Sequence, residues 1–175
     1  IRALGLGGEV IVPSYTFIAT AHALHWQGLT PVFADIDPRT HNLDPEAVRR
    51  MVTPRTTGII GVHLWGRPAP HRELAALADE LGLTLMYDAA HAFGCSAGGR
   101  LIGSLGSCEV LSFHATKFFN TFEGGAIVTD DDAFTGGEVP VVVVDAVGTP
   151  TTGGPTGTPP PAGALPTTRG AYLIY

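Results

Sequence analysis

The chain contains one lysine. Nine of its ten basic residues are arginine, and the exception is Lys117. Chemistry that needs a primary amine on a side chain, a Schiff base above all, therefore has one candidate. Cysteine is nearly as scarce: Cys95 and Cys108 make no disulfide framework and lack metal-type spacing. Charged residues are 15% of the sequence, the net charge is −6 and no basic run or stripe occurs, which argues against nucleic acid as a partner. No apolar run approaches the roughly 18 residues of a membrane span. Nor does Ile1–Val12 carry the basic n-region and cleavage site of a signal peptide. A soluble cytoplasmic protein with no membrane partner is the expectation. The first residue is not methionine and the opening reads as mid-helix, so an upstream segment is expected.

What is present suffices for one core: 175 residues, 45% of them hydrophobic. Residues 9–134 alternate β-rich runs with helical patterns. That predicts an α/β three-layer fold with a mostly parallel sheet. Strands are expected at Glu9–Val12, Thr30–Asp35, Thr57–His63, Thr84–Asp88, Glu109–Phe113 and Gly125–Thr129. Helices are expected at Thr16–Trp26, with Ala19, Ala23 and Trp26 on one face, from the cap Asp44 to about Met51, and at Pro70–Leu81 before Gly82. Asp130–Asp132 reads as the acidic start of a further helix. From Thr135 the composition changes: 23 of the last 41 residues are proline, glycine or threonine. Residues 1–134 are therefore read as one domain and 135–175 as a mostly disordered tail, with Val139–Val144 as a candidate strand.

In parallel α/β sheets, ligands bind beyond the carboxyl ends of the strands. The polar residues expected there are Ser14–Thr16, His63, Asp88 with His91, and Ser112 with His114, followed closely by Lys117. One amine, one carboxylate, hydroxyls and imidazoles at one edge suit pyridoxal phosphate, which needs a lysine, a counter-charge for its pyridine nitrogen and anchors for its phosphate. Each residue also has an ordinary reading. Lys117 is a solvated loop residue, Asp88 a helix cap, Phe17 core, Ser112 a backbone partner, and the histidines are hydrogen-bonded structural groups. Three rival chemistries are weaker. Gly94–Gly98 matches G-x-S-x-G with Ser96 as nucleophile, but no strand leads directly into it and no helix follows. His63, His91, His114 and Asp88 have the ligand types for zinc without a local motif. Gly5-Leu6-Gly7-Gly8 is a poor dinucleotide fingerprint.

Four segments, taken in order, resemble the DegT/StrS-type sugar aminotransferases, which are fold-type-I pyridoxal-phosphate enzymes. They are Glu9 to Phe17, Tyr87-Asp88-Ala89-Ala90-His91, Ser112-Phe113-His114-Ala115-Thr116-Lys117, and Glu123 to Thr129. The resemblance covers residues 4–134. It implies that Lys117 forms the Schiff base and then carries the proton, and that Asp88 pairs with the pyridine nitrogen. It also implies that His91 bonds the phenolic oxygen, Ser112 binds the phosphate and Phe17 stacks on the ring, with His114 in support behind them. The implied reaction is transamination of a nucleotide-linked keto-deoxysugar by an amino acid donor such as glutamate, in a homodimer. Family members are about twice as long, so a truncated large domain is expected, and a non-catalytic remnant of such an enzyme is the alternative.

Overall fold

The computed structural model describes residues 1–130 and three short strands beyond them. Eight strands and three helices precede residue 131: β1 (Glu9–Pro13), α1 (Ala19–Trp26), β2 (Thr30–Ala34), α2 (Pro45–Met51), β3 (Thr56–Val62), α3 (His71–Leu81), β4 (Thr84–Asp88), β5 (Ser96–Ala97), β6 (Arg100–Leu101), β7 (Cys108–Ser112) and β8 (Gly125–Thr129). The strands beyond are β9 (Val143–Val144), β10 (Pro150–Thr151) and β11 (Gly170–Ile174). The expected tail 135–175, the strand over 139–144 and the helix start at 130–132 otherwise lie outside the described residues.

Seven strands form one sheet in the order β11-β8-β7-β4-β3-β1-β2. From β7 to β2 every neighbouring pair is parallel, whereas β8 runs antiparallel to both β7 and β11. A parallel strand covered on both faces has no solvent side, so its sequence is continuously apolar rather than alternating. β1 shows this, with all five residues of Glu-Val-Ile-Val-Pro buried. Alternation then sorts the side chains between two layers. Ile11, Ile59, Leu85 and Tyr87 pack with Leu74 and Leu77 of α3 and Val48 of α2. Val10, Val12, Ile60 and Met86 pack on the opposite face with Leu24 of α1. Each fully buried aliphatic side chain contributes about 1.5–3 kcal/mol.

Local chemistry sets the helix ends. The Asp44 carboxylate accepts the Glu46 N–H at 3.0 Å, with Pro45 at the first helical position. α3 stops where Gly82 turns left-handed at φ 65°. Two expectations need correction. The opening residues 2–5 form a turn rather than a helix. α1 begins at Ala19, and it buries Thr20, Ala21 and Leu24 while Trp26 is 77% exposed. The inward face is set by Thr20, a polar residue whose hydroxyl is drawn to the sheet edge, and apolar periodicity alone does not register that pull.

Candidate active site

The five parallel strands end along one edge at Pro13, Ala34, Val62, Asp88 and Ser112. Asp88 closes β4 with its side chain on the α1 face. Its Oδ2 accepts the Thr20 hydroxyl at 2.8 Å and its Oδ1 accepts the Ala90 N–H at 3.1 Å. Thr20 thus ties the helix to the sheet, and its own N–H bonds the Phe17 carbonyl at 3.1 Å. Thr16 joins the same network, its hydroxyl 3.0 Å from that of Thr20. Phe17 lies between a bend and α1 and is 70% exposed. Thr20 was not anticipated as a site residue, although a threonine on an otherwise apolar helix face was a signal that could have found it.

β7 lies beside β4 with Val110 opposite Asp88. Side chains alternate, so Ser112 falls on the same face as Asp88, one pleat further along the neighbouring strand. The Ser112 Oγ accepts the His114 N–H at 3.4 Å. The chain then turns, with the Lys117 N–H bonded to the His114 carbonyl at 2.9 Å and the Asn120 amide capping the Lys117 carbonyl at 3.2 Å. Aromatic packing seats this loop. Phe119 stacks on Phe93 at 4.6 Å and meets Phe113 edge-on at 5.3 Å. Lys117 is half-buried, and among the described residues its Nζ has no hydrogen-bond or ion-pair partner. His114 bonds Thr116 at 2.9 Å and approaches Glu123 at 3.5 Å, so it braces the loop.

His91 follows β4 by three residues. Its Nδ1 accepts the Trp65 N–H at 3.3 Å, which leaves the proton of the neutral ring on Nε2. Burial, with the Lys117 ammonium close by, pushes the imidazole below its ordinary pKa, against a smaller upward pull from Asp88. The amine and the carboxylate therefore both act on His91.

The turn bearing Trp65 rests on a buried pair. His63 and Glu109 are both 0% exposed and 2.9 Å apart, with His63 stacked on Tyr87 at 4.6 Å. The His63 Nδ1 accepts the Ala69 N–H at 3.0 Å, so its Nε2 is the donor to Glu109. The other Glu109 oxygen accepts N–H groups from Gly103 and, at 2.9 Å, from Leu105. Three donors on one acceptor-only group is the pattern of a satisfied buried carboxylate. Both His63 ring nitrogens are thereby engaged, so His63 is a structural residue rather than a ligand. Among the described residues no three His, Cys, Asp or Glu side chains gather as a metal site.

Of the residues anticipated from sequence, Asp88, His91, Ser112 and Lys117 converge at this edge, with Phe17 joined to Asp88 through Thr20. His114 lies within the loop, bonded to Thr116. Ser96 sits instead in the β5–β6 hairpin, whose turn is Gly98-Gly99. No strand-to-helix elbow surrounds it, so the hydrolase motif has none of its required geometry.

The sequence and the fold are similar to those of known proteins. Residues 1–137 match the model of the DegT/DnrJ/EryC1/StrS aminotransferase family. The chain is 50% identical over 128 residues to a dTDP-4-amino-4,6-dideoxy-D-glucose transaminase of Shigella dysenteriae, covering 73% of the chain and 35% of that protein. It is 44% identical over 129 residues to a GDP-perosamine synthase of Caulobacter vibrioides, covering 74% of the chain and 35% of that protein. Among solved structures it superposes on DesI, determined in the presence of its TDP-sugar product, with a TM-score of 0.74 and 64% identity. That match covers 75% of the chain and 34% of DesI. The chain thus spans about a third of the length of these relatives, and its fold is part of that of the pyridoxal-phosphate-dependent aminotransferases. With the family match covering more than half of its length, the chain belongs to the DegT/DnrJ/EryC1/StrS aminotransferase family.

Proposed function

We infer that this polypeptide is the cofactor-holding part of an aminotransferase that moves an amino group from an amino acid such as glutamate onto a nucleotide-linked keto-deoxysugar. The observation that carries this reading is that Asp88 and Ser112 share one face of neighbouring strands at the carboxyl edge of the sheet, with His91 and the one lysine, Lys117, in the connections that follow them. The names of the relatives support the substrate class: a dTDP-amino-sugar transaminase and a perosamine synthase.

The residues present fit pyridoxal phosphate. Each Asp88 oxygen accepts one bond, and a carboxylate has capacity for more, so one further N–H donor can be taken. Ser112 uses its oxygen as an acceptor and keeps its O–H to donate. Phe17 offers an exposed ring face. When bound, the cofactor supplies an electron sink for the carbon attached to the migrating nitrogen. Asp88 would hold the pyridine nitrogen protonated, since an ionised partner favours the charged form. Ser112 would donate to the phosphate, and His91 would donate its Nε2–H to the phenolic oxygen. Lys117 would bond the cofactor through Nζ and later carry the proton between substrate and cofactor carbons. A homodimer belongs to this reading.

Pyridoxal phosphate added to the protein is expected to give a yellow solution whose colour disappears on borohydride reduction, leaving a phosphopyridoxyl mass on Lys117. Lys117→Arg keeps the charge and should carry no such mass. A protein that stays colourless, or that is labelled elsewhere, overturns the assignment. Labelling of Lys117 without amino transfer from glutamate to a nucleotide-linked keto-sugar would favour a non-catalytic remnant.

A further inference from the structure

Beside the candidate site, three aromatic rings from three connections form a corner that the core does not require. Tyr15 follows β1, His41 lies between β2 and α2, and Trp65 follows β3. Tyr15 and Trp65 meet edge-on at 5.9 Å, His41 and Trp65 at 5.7 Å, and Tyr15 and His41 at 6.0 Å. All three are exposed, Trp65 by 64% and Tyr15 by 47%. Two hold left-handed backbones without being glycine, His41 at φ 59° and Trp65 at φ 53°. Such conformations are unfavourable for these side chains and concentrate at functional sites. The polar atoms of the rings have no hydrogen-bond partner among the described residues: the Tyr15 hydroxyl, the His41 nitrogens and the Trp65 indole N–H.

We propose that Tyr15, His41 and Trp65 form the subsite for the sugar ring of the substrate. This rests on the sugar-transamination reading and adds where the sugar sits. The location argues for the sugar rather than the nucleotide. The Trp65 backbone N–H is bonded to the His91 ring, and His91 lies within the field of Lys117, so the corner adjoins the place where the reacting carbon must lie. The chemistry argues the same way. A pyranose presents C–H faces and a hydroxyl rim. The corner presents ring faces with an O–H, an N–H and imidazole nitrogens at their edges. A purely apolar occupant would cover those polar atoms without satisfying them.

The chain has two tryptophans. Trp26→Phe, on the exposed side of α1, leaves Trp65 as the reporter in the full chain. Titration with dTDP-4-amino-4,6-dideoxy-D-glucose should then quench Trp65 saturably, while dTDP at equal concentrations leaves it unchanged. Tyr15→Ala and His41→Ala should each weaken that binding about tenfold and leave borohydride trapping of pyridoxal phosphate on Lys117 intact. Tyr15→Phe, which keeps the ring, should recover most of the affinity. Equal quenching by dTDP overturns the proposal in favour of a nucleotide subsite. It also fails if neither compound quenches a protein that traps the cofactor. A third overturning result is Trp65→Ala dissociating a dimer without changing sugar affinity, which would make the corner a subunit contact. Sugar-specific quenching with no trapping on Lys117 would sink the transamination reading and leave the sugar subsite standing.

Discussion

Replacing Glu109 by glutamine changes one oxygen to an NH2 group inside a cluster that contains only donors. In the native chain one carboxylate oxygen takes the His63 Nε2–H, and the other takes the Gly103 and Leu105 N–H groups. If the glutamine oxygen faces the two backbone donors, its NH2 faces His63. The His63 ring then needs an acceptor at Nε2, but its Nδ1 already accepts from Ala69, and a neutral imidazole must carry a proton on one nitrogen. If the amide is reversed, the NH2 meets two N–H groups. Either way at least one buried donor is stranded, at about 1–3 kcal/mol each. Relief from burying a neutral amide instead of a charge offsets part of this, since buried ionic groups carry a desolvation penalty. The net expectation is a loss of about 2 kcal/mol for Glu109→Gln. Glu109→Ala strands all three donors and leaves a cavity, so its loss should be roughly twice as large. The assay is urea unfolding followed by circular dichroism, reading the midpoint shift at constant slope. A double-mutant cycle with His63→Ala should give a coupling of about 1–3 kcal/mol. If Glu109→Gln is as stable as the native chain, or more stable, the cost of burying the charge exceeds what the network returns, and the reasoning is wrong.

Three further outcomes are expected. Gly61→Ala places a Cβ 2.5 Å from the Tyr87 ring, so overpacking should cost about 1–3 kcal/mol in the same unfolding assay; an unchanged midpoint would show that Tyr87 can move aside. Thr20→Val keeps the volume but removes the bond to Asp88, and pyridoxal phosphate affinity should fall about fivefold by absorbance titration, equivalent to roughly 1 kcal/mol. The third concerns pH. The His91 imidazole is pushed down on folding, so in acid the unfolded chain takes up its proton first, and stability is lost as pH falls from about 6.5 through the folded-state value. His91→Gln should flatten that part of the pH dependence of the urea midpoint, and an identical slope in both proteins would refute the assignment.

The α/β order, the strand cores and most element ends were legible because they depend on short-range chemistry. Continuous apolar runs marked parallel strands covered on both faces, Asp44-Pro45 opened α2, and Gly82 closed α3. The buried face of α1 was misassigned because Thr20 turns inward to reach Asp88, 68 positions away in the chain. No periodicity encodes a bond between residues so far apart. His63 illustrates the same limit. In sequence it is one of several histidines at strand ends, and its partner Glu109 lies near the start of an otherwise mostly apolar strand. Only the pairing of β3, β4 and β7 shows that they satisfy one another and leave neither to bind a metal.

By itself the sequence determined which atoms exist for the chemistry: one amine, at Lys117, in an ordered set of motifs with Asp88, His91 and Ser112. The tertiary structure decided which of them lie at one edge of the sheet. Register put Asp88 and Ser112 on one face of neighbouring strands. The Trp65 backbone N–H fixed the proton of the neutral His91 ring on Nε2, and Thr20, far away in sequence, came to support Asp88 beside the neighbouring Ala90 N–H. The physical reason is that hydrogen bonds and fields act over a few ångströms of space. Sequence spacing reports those distances only within a single helix, strand or turn.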